Sequence, residues 1–166
     1  MTDIAQLVEK KNAWLASQVD VEYPTKESLQ GRDLYLSRQQ TAHAVEYKNP
    51  LHPDDIEMEI YVIDFHRLTI MFAMLQAKFW QAESEQSLIV EFLTQIIFDE
   101  NHPMYIAFAE GEPCACALTT PGDGIVLISD LWSLDPAHEA AFIAQLFDRI
   151  KLETQIDAPI WVEFID

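Results

Sequence analysis

The sequence predicts an α/β fold of the α+β kind: a mixed, mostly antiparallel sheet flanked by helices, behind an N-terminal helical extension. Three observations predict it. Residues 103–166 read in order as a hairpin, a third strand, one amphipathic helix and a final strand. Apolar residues recur at helical spacing over 3–17, 66–81 and 85–98. The chain has 166 residues, 49% hydrophobic and 23% charged, enough for one sizeable core. The expected division is an extension over 1–56 and an α/β core over 57–166, forming one compact unit.

In the first helix Ile4, Leu7, Val8, Trp14 and Leu15 follow helical spacing, with Lys11 the one polar intruder. Thr2 or Asp3 can cap its start, because a short side-chain oxygen satisfies exposed backbone N–H groups. Asp20 to Pro24 reads as a loop, and 26–46 as helical in part, with Gly31 weakening any single long helix. Two prolines make 48–55 a loop. Residues 57–65 alternate as a strand, with Met58, Ile60, Val62 and Asp64 on one side. Leu68, Phe72, Leu75 and Phe79 form a helical stripe that Met71 and Met74 widen. Ser84 suits the cap of the next helix, over 85–98.

Met104 to Ala109 and Cys114 to Thr120 are the hairpin strands, and a longer strand runs from Ile125 to Leu134. Asp135-Pro136 then starts a helix, because proline at the first helical position loses no hydrogen bond. Phe142, Ile143, Leu146, Phe147 and Ile150 are its buried face, and Ile160 to Ile165 is the last strand.

The net charge is −18. Residues 103–166 hold 11 acidic side chains against only Arg149 and Lys151. Phosphate surfaces draw on Lys and Arg, so neither nucleic acid nor an anionic membrane is an expected partner. The charge reads first as a source of solubility; the sharper readings are a cationic ligand or partner, or mimicry of nucleic acid. Thr2-Asp3-Ile4 carries no basic or apolar leader pattern, and no apolar run approaches a membrane span. With Cys114 and Cys116 the only cysteines, a reduced, cytoplasmic protein is the simplest inference. No His or Cys follows them at ligand spacing, so no metal site is expected.

The order from residue 57, β-α-α-β-β-β-α-β, resembles the first two-thirds of the GNAT superfamily of acyl-CoA N-acyltransferases. The likeness is carried by two segments. Met104-Tyr-Ile-Ala-Phe-Ala-Glu-Gly-Glu-Pro-Cys-Ala-Cys-Ala is similar to that family's second and third strands, and Ile128-Ser-Asp-Leu-Trp-Ser-Leu-Asp-Pro136 to its fourth strand entering the cofactor loop. The resemblance implies acetyl-CoA or another acyl-CoA as cofactor, lying where the fourth and fifth strands splay. It places Leu131, Trp132, Ser133, Ala137, His138, Ala140 and Ala141 along that cofactor, and a base among Asp130 and Glu112.

Two departures stand beside it. The family's loop carries glycines and a basic or amide residue that bring backbone N–H groups to a pyrophosphate. Here Ala137-His-Glu-Ala-Ala141 has neither Gly nor Arg, and Glu139 adds a like charge. The family also continues with another helix and two strands, whereas this sequence has about fifty-six residues ahead of the core. These are expected to cover the exposed surface or supply the acceptor site, unless a partner subunit does.

Taken as bland residues, Glu112 is a solvated turn carboxylate and Asp130 a strand residue facing water. Three functions follow: an N-acyltransferase acting on a cationic small molecule or protein amine, a non-catalytic GNAT-fold binding or regulatory module, and an acidic mimic of nucleic acid. Should the outer face of 71–80 be apolar as well, that stripe would serve a homodimer.

Overall fold

The computed structural model describes residues 3–48, 56–154 and 158–165. Helices α1 (Ile4–Ser17) and α2 (Lys26–Arg38) come first, then a 3-10 turn and strand β1 (Ala42–Tyr47). Strand β2 (Glu59–Val62) is followed by α3 (His66–Ala77) and α4 (Glu83–Leu93). Then come β3 (Met104–Ala109), β4 (Glu112–Pro121), β5 (Val126–Ser133), α5 (Pro136–Thr154) and β6 (Ile160–Ile165). The six strands form one sheet in the order β1-β6-β5-β4-β3-β2, antiparallel except for the β5/β6 pair.

The predicted α/β fold class and the order of residues 103–166 hold. Asp3 caps α1 with a reciprocal capping box through Gln6. Glu110 and Gly111 both have positive φ, the backbone of a two-residue I′ turn, so the β3–β4 hairpin is tighter than its sequence reads. The reading of 26–46 changes at its end, where 42–47 is a strand on the sheet edge rather than helix. Helix α4 starts at Glu83 after Ala82, so Ser84 is not its cap, and it stops at Leu93. The loop expected at 48–55 falls almost wholly outside the described residues.

The sheet is the middle of three layers. Phe142, Ile143, Leu146 and Ile150 of α5 cover one face, against Ala107, Ala117, Ile128 and Val162. Helices α1 to α4 cover the other, where Phe72, Ile89 and Phe92 meet Ile106, Cys116 and Leu118. Met74, counted in the core stripe, is exposed instead.

A bulge between β3 and β4 leaves Cys114 without a Cα partner in the ladder. The parity of β4 therefore slips by one. Cys114 packs on the α5 side and Cys116 on the α1–α4 side, so the two thiols do not share a face. Burial pushes the Cys116 thiol up to about 12 and raises Cys114 as well. Thiolate is the reactive form. Iodoacetamide at mildly alkaline pH should leave both cysteines unmodified in native protein and modify both in denaturant. Intact mass after quenching checks this, and rapid native labelling would contradict the burial.

Candidate functional site at the divergence of β5 and β6

Strands β5 and β6 pair only through Val126, Leu127 and Ile128 against Ile160, Trp161 and Val162. Beyond that point β5 continues along β4, and β6 along β1. Two residues after the pairing ends, Asp130 takes a φ of 53°, and the β4 register slips beside it between Cys116 and Leu118. Asp tolerates the left-handed region better than most residues, yet inside a strand it is strained and must be held. Three side chains hold it. Gln76 donates to the Asp130 carbonyl, Tyr35 to Oδ1 at 2.8 Å and Ser129 to Oδ2 at 2.7 Å.

The sheet face beside this divergence is filled by the N-terminal helices. Lys11 of α1 is 0% exposed. Its Nζ lies 2.8 Å from Glu163 Oε1 and 3.7 Å from Asp130 Oδ2, and also donates to Gln39 Oε1 at 2.9 Å and to the Tyr35 hydroxyl at 3.2 Å. Glu163 is raised above its ordinary range by burial, against the pull of the Lys11 charge. Tyr35 is raised well above its own, by burial first and then by Asp130. Arg38 of α2 adds a second cation, lowered by burial and stacked 3.9 Å from the Phe79 ring centroid. Two carboxylates and one ammonium thus form a buried cluster, with the half-buried Arg38 guanidinium acting on it electrostatically.

Asp130 is therefore buried, not a strand residue facing water. Glu112 does not join it. Five residue steps along β4, about 17 Å of strand, separate Glu112 from Ala117, which faces the bulge. Glu112 is exposed and lines another groove, of about 980 Å³, with Glu57, Glu59, Glu110, Phe108 and His138. No motif marks Lys11 or Glu163 as a site residue, although each breaks an apolar pattern, as Asp130 does.

The residues expected along the cofactor are placed as follows. Leu131 is half-buried and Trp132 buried, its ring 5.0 Å from Lys78 Nζ. Ser133 donates to Glu139 Oε2 at 3.3 Å. Ala137 is exposed, Ala140 half-buried and Ala141 buried at the start of α5. There the Asp135 carboxylate accepts from the His138 N–H at 2.8 Å and lies 2.8 Å from His138 Nδ1. Hydrogen bonds from His138, the backbone one first, hold Asp135 below the usual carboxylate range. The helix end that would face a pyrophosphate is thus capped by one carboxylate and flanked by that of Glu139. These residues do not fit a diphosphate.

Among the described residues, no three His, Cys, Asp or Glu side chains are arranged to hold a metal ion, and no helix is long and apolar enough to cross a membrane.

No family model and no curated protein matches the chain. Solved structures do. A functionally unknown conserved protein from Staphylococcus epidermidis is 11% identical with a TM-score of 0.55, over 87% of this chain and 59% of that one. A GCN5-related N-acetyltransferase from Kribbella flavida is 13% identical with a TM-score of 0.45, over 79% and 53%. A tandem GNAT protein from the clavulanic acid biosynthesis pathway is 10% identical with a TM-score of 0.47, over 76% and 44%. The chain spans about half the length of these structures. At such identities the likeness is one of fold. The run β2-α3-α4-β3-β4-β5-α5-β6, with its parallel pair parting after three residues, makes that fold GNAT-like.

Proposed function

We propose that the chain is a GNAT-fold binding module for a cationic partner, working without acyl-CoA. One observation carries this reading: at the start of α5, where a phosphate would need unshared N–H groups, Asp135 already accepts the His138 N–H, and the Glu139 carboxylate stands beside it on the Ser133 hydroxyl. The buried Lys11 cluster supports it, because side chains already occupy the space beside the strand divergence. The charge of −18 favours a cationic partner and opposes a polyanionic cofactor.

A second reading is favoured by the parting of β5 from β6 beside the strained Asp130. It is an acyl-CoA-dependent N-acyltransferase for a cationic amine, with Asp130 as the base. Thermal unfolding with acetyl-CoA and with CoA separates the two. A ligand that binds only the native state must raise its melting temperature. No rise is expected at millimolar concentration of either. A rise that saturates with acetyl-CoA would overturn the binding-module reading and restore the transferase.

A further inference from the structure

Helices α1 and α4 both end at one corner of the helical layer. The loops that follow them are pinned together, since the Ile97 N–H donates to Gln18 Oε1 at 3.0 Å. Between them lies a groove of about 520 Å³. Its apolar lining is Trp14, Val21, Ile97 and Phe98. Val21 is 56% exposed, Ile97 75% and Phe98 47%. Exposed apolar side chains of this size are ordinary singly, but three around one groove mark a contact surface. Trp14 is a fixed wall, its ring stacked on buried His102 with centroids 4.2 Å apart.

The rim of this groove is acidic. Asp20, Asp99 and Glu100 line it, and exposed Glu22 stands beside Val21. The cation seated there is Arg32, paired with Asp20 at 3.3 Å. Four carboxylates against this guanidinium and the Lys10 charge, which reaches His102 behind Trp14, leave the corner negative. A second copy of the chain is a poor occupant. A two-fold contact through this patch would set Asp20, Asp99 and Glu100 against themselves, on a molecule already at −18.

We propose that this groove docks an amphipathic, lysine- or arginine-bearing segment of a partner protein. Its apolar side chains sit among Val21, Ile97 and Phe98, and its cations face Asp99 and Glu100. The inference rests on the binding-module reading and supplies its site. Apolar anchors give affinity, and the opposite charges give encounter rate and orientation.

The test is fluorescence anisotropy of a labelled Leu/Lys amphipathic peptide with the full chain at physiological ionic strength. Saturable binding is expected. Ile97→Ser/Phe98→Ser should weaken it roughly tenfold or more, as loss of central apolar anchors does. Asp99→Lys/Glu100→Lys should weaken it too, while Met74→Ser, an exposed apolar change on α3, should leave it unaltered. A Leu/Glu peptide of the same pattern should not bind. Circular dichroism confirms that each variant is folded. Binding that ignores both groove variants would overturn the groove and leave the cation-binding reading standing. Absence of binding to the unaltered chain would overturn both. A concentration-dependent dimer that the groove variants abolish would assign the surface to a second copy, and overturn the proposal.

Discussion

Gly31→Ala is expected to destabilise the protein by about 2 kcal/mol or more, although Ala is the better helix former by about 1 kcal/mol. The reason is contact, not propensity. Gly31 lies in α2 where that helix crosses α4. A Cβ built on it would meet the Leu88 carbonyl oxygen well inside contact distance, the Phe92 Cβ at 2.7 Å and the Leu88 carbonyl carbon at 2.8 Å. Two of these atoms are backbone, so no rotamer change relieves the clash, and the helices must part. Parting them loosens Phe92 and Tyr35, whose rings sit 5.7 Å apart, and with Tyr35 goes the hydroxyl that holds Asp130. Urea unfolding checks this. The midpoint should fall in Gly31→Ala, while exposed Gln30→Ala in the same helix should leave it unchanged or raise it. A Gly31→Ala midpoint at or above the unaltered one would mean that the two helices do not pack this closely.

The same residue shows what the sequence made legible and what it did not. Gly31 reads as a helix weakener, and the closeness it permits to a helix fifty-odd residues away leaves no local mark. Residues 103–166 were legible because each element there is bounded by turn chemistry and faces one apolar layer, as Glu110-Gly111 and Asp135-Pro136 do. Strand β1 was not. Ala42–Tyr47 is an edge strand with weak alternation and no fully buried residue, and its partner is the last strand of the chain. Such a strand is specified by its tertiary neighbour more than by its own residues. In α4 the apolar spacing runs past Leu93 into Ile96 and Ile97, but only Ile96 turns inward, and Ile97 becomes surface.

The candidate site was legible in part. Asp130 stands out as a carboxylate interrupting an apolar strand. Its placement beside the strand divergence follows from the order of elements. Lys11 stands out as a charge on an apolar helical stripe, and Glu163 as a charge in an apolar strand. Read together, three charges intruding on three buried faces are the signature of one buried network. Read singly, each is a local irregularity. What no spacing revealed is that α1 and β6, at opposite ends of the chain, bring Lys11 and Glu163 within 2.8 Å.

Lys11→Met is the substitution with the largest expected effect, a loss of about 3–5 kcal/mol near neutral pH. Methionine keeps most of the volume, so little of the loss comes from a cavity. The cost arises because Asp130 and Glu163 would stay buried without the ammonium between them, with Arg38 the remaining cation nearby. That origin fixes the pH dependence. Glu163 is already raised by burial, and without Lys11 it must rise further. A carboxyl raised in the folded state binds its proton more tightly there than in the unfolded chain. Its neutral form therefore restores stability as pH falls through the folded value toward the ordinary carboxylate range near about 4. The variant should regain part of its deficit on mild acidification, and Lys11→Met/Glu163→Gln should regain it at neutral pH. A double-mutant cycle in urea should give a coupling of about 1–3 kcal/mol between the two positions. Lys11→Met and Glu163→Gln acting additively, with a pH-independent deficit, would show that the ion pair does not hold α1 on the sheet.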